Sequence, residues 1–193
     1  MKHRKYPVIF RLLVGNFIGI LLFNASAAGL SDLTYTVRAD SVKITGCKHP
    51  AAGSLLIPET IEGKPVTSIG DRAFNNCNSL TSMIIPDSVA NIGSGAFGYC
   101  DSLTNVSIPN SVTSIAVAAF VHCTQLTNVS IPNSVTNIGD RAFFQCVGLS
   151  RVRFLGIAPR IGEDVFPNSA KGIIFEIEPG ATGFEWAEAR NGN

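Results

Sequence analysis

The sequence has few of the residues from which catalytic sites are built. It contains three histidines, His3, His49 and His122, and no glycine-rich phosphate loop or metal-ligand cluster is recognisable. The acidic residues are scattered, without a recurring pair that would oppose two carboxylates across a cleft. His122 precedes Cys123, but adjacent side chains point apart, whereas a nucleophile and its base must be within hydrogen-bond reach. The sequence therefore argues against an enzyme and predicts neither catalytic residues, nor a cofactor, nor a metal.

Basic residues are also scarce beyond the first 28 positions. Those positions carry Lys2, Arg4, Lys5 and Arg11 and no acidic residue. Of the 15 basic and 14 acidic residues in the chain, removal of these four leaves 11 basic against 14 acidic, a net charge of −3. Because no basic stripe remains to contact a phosphate backbone, nucleic acid is excluded as a partner.

A second long apolar run is likewise missing. The one such run, residues 12–23, follows the basic residues and precedes the small residues Ala25, Ser26, Ala27 and Ala28. This order predicts a secretory signal peptide over residues 1–28, cleaved after Ala27 or Ala28, and no membrane insertion after cleavage. The alternative is an uncleaved membrane anchor, although this run of twelve residues falls short of the ~20 apolar residues that cross a bilayer.

What the chain does have is an internal repeat. Residues 78–146 form three rows of 23, NSLTSMIIPDSVANIGSGAFGYC, DSLTNVSIPNSVTSIAVAAFVHC and TQLTNVSIPNSVTNIGDRAFFQC, which align without a gap. Less regular rows precede and follow them, so we count about five units. A fixed period of this length indicates a solenoid, in which each unit buries its apolar face against its neighbours.

Each unit contains the pattern L-x-x-L-x-L, the strand of a leucine-rich repeat. Stacked strands would form a parallel sheet whose side chains alternate between core and solvent. We expect the proline after Ile85, Ile108 and Ile131 to end each strand. The phenylalanine column should stack through the core; it comprises Phe74, Phe97, Phe120, Phe143 and Phe166. A Gly-Asp or Gly-Ser pair before Ala-Phe resembles the N-cap of one helical turn, which Ala116-Val117 lacks in the third unit.

The ends of the repeat differ from its middle. Residues 33–46 alternate polar and apolar side chains about a turn at Ala39-Asp40, which predicts a β-hairpin that caps the first coil. Five extra residues before Val66 contain Glu62-Gly63-Lys64-Pro65 and predict a loop. Near the C-terminus we expect a last strand with Phe175 and Ile177. Phe184 and Trp186 would then cover the final core layer, unless this tail is a linker.

The unit IPxSVxxIxxxAFxxCxxLxxVxI resembles the bacterial BspA-like leucine-rich repeat over residues 55–169. The resemblance implies an α/β repeat solenoid, right-handed and curved, with a parallel sheet on its concave face. The corresponding organisation is a hairpin cap at 29–54, the solenoid at 55–169 and a strand with a cap at 170–193. Members of that family are commonly exported or located at the cell surface, and some are adhesins that bind host matrix proteins or other bacteria.

Four of the five cysteines occupy one column, Cys77, Cys100, Cys123 and Cys146, and Cys47 lies outside it. Neighbours in a column lie ~4.8 Å apart with nearly parallel Cβ vectors, whereas a disulfide needs the Cβ atoms directed towards each other. Buried free thiols are favoured, and disulfides or a metal site remain as alternatives.

The outward side of the predicted sheet is the candidate ligand-binding surface. Its side chains are Ser82, Ile84, Asn105, Ser107, Asn128, Ser130, Arg151 and Arg153. Solenoids present such faces to their ligands, and here the ligand would be a protein or a glycan at a cell surface or in extracellular matrix. The basic end would favour an acidic partner. The alternative is a structural cell-envelope protein that self-associates through its repeats.

Overall fold

The computed structural model describes residues 30–48, 51–166 and 172–184. A short 3-10 helix, Leu30–Asp32, precedes fourteen strands. The strands are β1 (Leu33–Val37), β2 (Val42–Cys47), β3 (Gly53–Leu56), β4 (Thr60–Ile61), β5 (Lys64–Ile69), β6 (Leu80–Ile84), β7 (Asn91–Ile92), β8 (Asn105–Ser107), β9 (Ser114–Ile115), β10 (Asn128–Pro132), β11 (Asn137–Ile138), β12 (Arg151–Leu155), β13 (Arg160–Ile161) and β14 (Ile174–Ile177).

Six strands form a parallel sheet in the order β14-β12-β10-β8-β6-β3. Neighbouring coils align one period apart, so Met83 pairs with Val106 and Val129 with Val152. Both members of these pairs are buried, as the alternation predicts. The expectation that a proline ends each strand is not met in β10, because Pro132 continues that strand and pairs with Leu155.

A second sheet lies on another side of each coil. It runs β1-β2-β5-β7-β9-β11-β13, with β4 paired to β5, and its later strands are only two residues long. Ile69, Ile92 and Ile115 follow one another in register and are buried. Each coil therefore contributes one strand to each sheet. The apolar side chains of the two sheets fill the space between them.

Turns, and not helices, connect the second sheet back to the first. Within the part of the chain that the structure describes, Leu30–Asp32 is the only helix, so the expected helical turns and the α/β label are wrong in that respect. Helices do not form here because the backbone amides bond to the adjacent coil. The N–H groups of Phe74 and Phe97 donate to the carbonyls of Ala96 and Ala119 in the next coil, at 2.7 Å each. These amides link coils and cannot form helical bonds within their own coil.

The aspartates expected to be N-caps also form hydrogen bonds between coils. Asp71 accepts a hydrogen bond from the Ser94 amide at 2.9 Å, and Asp140 accepts one from the Glu163 amide at 2.8 Å. Each carboxylate thus satisfies an amide of the following coil. Val117 occupies the same position in the third coil and has no side-chain acceptor to offer Asp140.

The phenylalanine column is a continuous stack in the core, as predicted. Ring centroids of successive members lie 5.3, 5.0, 5.2 and 5.7 Å apart from Phe74 to Phe166. All five side chains are buried. Because each ring covers its neighbour's face, the column joins the coils along the whole length of the repeat.

The N-terminal end confirms the predicted hairpin, since β1 and β2 pair antiparallel. β2 adds to the second sheet by pairing parallel with β5, so the hairpin covers that sheet's first coil strand. The five extra residues form a tight hairpin of β4 and β5, in which Glu62 and Gly63 have φ angles of 53° and 75°. Two successive positive φ values match the turn that favours glycine at its second position.

The free-thiol prediction is wrong for one member of the cysteine column. Cys77 forms a disulfide with Cys47, whereas Cys100, Cys123 and Cys146 are free and buried. The direction argument applies only between column neighbours. Cys47 at the end of β2 approaches the first coil from outside the column and so reaches Cys77.

At the C-terminal end, β14 pairs with β12 and Phe184 is buried against Phe154, with ring centroids 5.0 Å apart. These contacts confirm the last strand and the role of Phe184. Trp186, also expected in this cap, lies outside the described residues. No helix among the described residues is long and apolar enough to cross a membrane.

Candidate functional site

The face predicted to be concave is the outer face of the six-stranded sheet, and all eight candidate residues lie on it. Strand pairing arranges its side chains in two columns across the sheet. The first column consists of Ser54, Ser82, Asn105, Asn128, Arg151 and Ile174. The second column consists of Leu56, Ile84, Ser107, Ser130, Arg153 and Glu176.

The N-terminal end of the second column is apolar. Leu56 and Ile84 pair in register, and 48% and 51% of their surfaces are exposed. The repeat pattern predicts Ile84 on this face but does not predict Leu56. The five-residue insertion hides the periodicity, since Leu56 precedes Ile84 by 28 residues and not by 23. Two adjacent aliphatic side chains in water form a small apolar patch.

The centre of the face is polar. Asn105, Ser107, Asn128 and Ser130 are exposed. Asn128 donates from its side chain to Thr127 at 3.0 Å, whereas the other three make no side-chain hydrogen bond within the described residues. Their hydroxyl and amide groups are therefore available to a ligand.

A neighbouring hydroxyl column differs from this centre because its hydrogen bonds are used inside the protein. Thr104 donates to the Thr81 carbonyl at 3.0 Å, and Ser150 donates to the Thr127 carbonyl at 3.2 Å. These side chains link successive coils. We therefore place them in the scaffold and not in the candidate site.

The C-terminal end of the face is less basic than expected. Arg151 forms an ion pair with Glu176, 3.0 Å between nitrogen and oxygen, so its charge is locally balanced. Arg153 makes no ion pair with any described residue. The expected basic end thus consists of one arginine in an ion pair, Arg151, and one without an ion pair among the described residues, Arg153.

His122 and Cys123 are close in sequence but act in different places. The Cys123 thiol is buried and donates to the Phe97 carbonyl at 3.0 Å. Its contact with the Cys146 thiol, followed by burial, raises the pKa of the Cys123 thiol far above its ordinary value. His122 stacks on Tyr99 with 5.0 Å between ring centroids and lies 3.7 Å from the Asp101 carboxylate. A protonated thiol turned away from the imidazole does not form a nucleophile–base pair.

Metal ligands do not cluster in the part of the chain that the structure describes. There, no group of three His, Cys, Asp or Glu side chains is placed to hold a metal ion.

Solved structures with the same fold come from bacterial leucine-rich repeat proteins. A leucine-rich cell surface protein from Faecalibacterium prausnitzii A2-165 superposes with a TM-score of 0.70 at 26% identity, over 82% of this chain and 40% of that one. This chain thus spans less than half the length of that relative. A leucine-rich repeat protein from Bacteroides capillosus gives a TM-score of 0.57 at 27% identity, over 77% of this chain and 96% of that one. The pneumococcal vaccine antigen PcpA shares the fold alone, with a TM-score of 0.59 at 19% identity, covering 72% of this chain and 34% of that one.

No curated protein matches the sequence. The model of the BspA type leucine rich repeat region matches residues 54–172 in six copies, one more than the sequence count. That match covers more than half of the chain and includes every candidate residue. The chain belongs to the BspA-type leucine-rich repeat family.

Proposed function

We propose that this chain is an exported, surface-located, non-catalytic protein that binds a protein or glycan ligand on the outer face of its six-stranded sheet. One observation carries the proposal. Side chains that recur once per coil form one continuous outer face, which changes from aliphatic to polar to cationic between β3 and β12 and ends with Ile174 and Glu176 on β14. A solenoid offers an extended surface of this kind to a ligand.

Three features support location at the surface. The predicted signal peptide at 1–28 implies export, and one related structure is described as a cell surface protein. The disulfide between Cys47 and Cys77 is consistent with an oxidising compartment.

The absence of catalysis is supported by how the reactive groups are used. The buried thiols of Cys100, Cys123 and Cys146 donate to backbone carbonyls, and His122 is stacked on Tyr99. These groups hold coils together and leave binding as the function of the exposed face.

A matched pair of double variants tests the site. Asn105→Arg with Asn128→Arg places two bulky cations on the proposed face, whereas Asn91→Arg with Asn137→Arg places them on the second sheet. All four asparagines are exposed and stand in strand columns, so both variants should fold alike. The wild-type protein and both variants are immobilised and exposed to extracellular-matrix and cell-surface extracts, and retained proteins are identified by mass spectrometry.

We expect a ligand that the wild type and the second-sheet variant retain and the first variant loses. Equal retention by all three proteins would contradict the proposed face. Treatment of the retained ligand with glycosidase or protease then shows whether glycan or polypeptide carries the binding.

The second candidate is a structural protein that self-associates in the cell envelope. It is favoured by the two end strands of the six-stranded sheet, since β3 pairs only with β6 and β14 only with β12 among the described strands. End strands of a sheet can add strands from another copy. Light scattering that rises with protein concentration, without any ligand, would support this candidate against a monomeric binder.

A further inference from the structure

The second column of the outer face places an apolar group and a cation at a fixed separation. Ile84, Ser107, Ser130 and Arg153 stand on consecutive strands of the sheet. Three strand spacings separate Ile84 from Arg153, which corresponds to about 14 Å. Leu56 extends the apolar end by one strand, and it pairs with Ile84. The two serines between the ends offer hydrogen-bonding groups without side-chain partners among the described residues.

The chemistry of this column favours polypeptide over glycan. The outward residues of the described strands include no aromatic ring, so the face lacks the flat apolar surface on which a sugar ring stacks. Leu56 and Ile84 instead match an aliphatic side chain. Towards the other end, Arg153 has no ion pair among the described residues. Glu176, which follows Arg153 in the column, forms its ion pair with Arg151 instead. An acidic side chain of a ligand would therefore pair with Arg153.

We infer that the ligand is an extended segment of a partner protein that crosses the strands, with an aliphatic side chain on Leu56 and Ile84 and an acidic side chain on Arg153. An extended chain advances ~3.3 Å per residue, so the two side chains would lie about four residues apart. Ser107 and Ser130 would bond the segment between them. This inference rests on the proposed function and adds to it the class and spacing of the ligand.

The test uses short fluorescein-labelled peptides of serine, threonine and glycine that carry one leucine and one glutamate. In one set the two residues are separated by about four positions, and in the others the separation is about two positions shorter or longer. Both chain directions are made, with Leu→Ser and Glu→Gln controls. Binding to the protein is measured by fluorescence anisotropy up to about 1 mM peptide.

We expect the four-position peptide to bind about tenfold more tightly than the other spacings and the controls. Ile84→Ser and Arg153→Gln should each weaken it by about the same factor. Arg153→Glu should reverse the preference, so that a peptide with lysine in place of glutamate binds better. Ile157→Ser and Arg160→Glu are matched controls, because both residues are exposed and lie outside this column. Neither control should change the affinity.

Failure of this inference is separable from failure of the proposed function. If the ligand isolated from extracts is lost on Asn105→Arg with Asn128→Arg but is unaffected by Ile84→Ser and Arg153→Gln, the face binds and the peptide inference is wrong. A ligand that survives protease and is destroyed by glycosidase also overturns it, as does equal or absent binding of all peptides. If the isolated ligand is unaffected by every variant on this face, both proposals fail.

Discussion

The thiol of Cys123 donates a hydrogen bond to the backbone carbonyl of Phe97 in the preceding coil, with 3.0 Å between sulfur and oxygen. Cys100 and Cys146 make the same bond to Phe74 and Phe120. The cysteine column is therefore a ladder of donors that links each coil to the one before it. This relationship explains why the column keeps a small side chain with a proton to donate.

Removal of one of these thiols should lower stability, because a hydrogen bond and some buried volume are lost. We expect Cys123→Ala to lower the free energy of unfolding by about 1–2 kcal/mol, measured by urea denaturation. Cys123→Ser keeps a donor of similar size and should lose less. Equal losses for the alanine and serine variants would show that the thiol only fills space.

Because these thiols are buried, the stability of the protein should depend on pH in the alkaline range. Burial raises the pKa of the Cys100 thiol from its ordinary value of 9.0 to about 12. The unfolded chain loses this proton near pH 9 while the folded chain keeps it, so the contribution of Cys100 to stability is complete below pH 9 and declines as the pH rises towards 12.

The urea midpoint of the wild type should therefore fall between about pH 8 and about pH 10.5, and Cys100→Ala should fall less steeply. Ser107→Ala, an exposed change on the six-stranded sheet, should keep the wild-type slope. If the slopes of the Cys100→Ala variant and the wild type are equal, the thiol does not contribute to this pH dependence.

Phe120 is in the middle of the aromatic stack, 5.0 Å from Phe97 and 5.2 Å from Phe143 between ring centroids. Truncation leaves a cavity that the two neighbouring coils cannot close. We expect Phe120→Ala to lower the free energy of unfolding by about 3–5 kcal/mol in thermal or urea denaturation. Phe144→Ala, at the half-buried neighbouring position, should cost about 1 kcal/mol. An unchanged midpoint for Phe120→Ala would be incompatible with the stack.

The sequence predicts the parts of this fold that repeat, because every inner coil meets the same neighbours. Columns such as Phe97 and Phe120, or Met83 and Val106, therefore have the same environment in each copy. The expected helical turns differ from the observed turns for a local reason. Gly-Asp-Arg-Ala-Phe resembles a helix start, but its amides bond to the adjacent coil, and a local pattern does not show that partner.

The features of the fold that the sequence does not predict depend on contacts at the two ends of the repeat. The pairing of Cys47 with Cys77 requires the position of the hairpin relative to the first coil. The ion pair of Arg151 with Glu176 requires the register between β12 and β14, where the repeat is irregular. For the candidate site, the sequence predicted the exposed face. It did not predict that only Arg153 remains unpaired there, nor that Leu56 joins Ile84.

The disulfide should hold the N-terminal hairpin on the solenoid. It joins residues 30 positions apart, and closing a loop of that length stabilises a protein by about 3.6 kcal/mol through the unfolded state. We expect Cys47→Ser to lower the free energy of unfolding by about 2–4 kcal/mol. Thiol titration in denaturant should give three free thiols without reductant and five after reduction. Five free thiols in the untreated protein would contradict the disulfide.

The third coil offers a stabilising substitution. Asp71 and Asp140 each accept a hydrogen bond from an amide of the next coil, and each is followed one coil later by a glycine that leaves room for the carboxylate, Gly93 and Gly162. Val117 has the corresponding glycine, Gly139, but no acceptor. Val117→Asn supplies an acceptor for the Asp140 amide without adding negative charge beside Asp140.

We expect Val117→Asn to raise the free energy of unfolding by about 0.5–1 kcal/mol, and Asp140→Ala to lower it by a similar amount. Val117→Thr is the control, since it adds a hydroxyl on a side chain that retains β-branching and is too short to reproduce the carboxylate geometry. Urea denaturation of the three variants measures the differences. A Val117→Asn variant no more stable than Val117→Thr would mean that the missing acceptor does not weaken this turn.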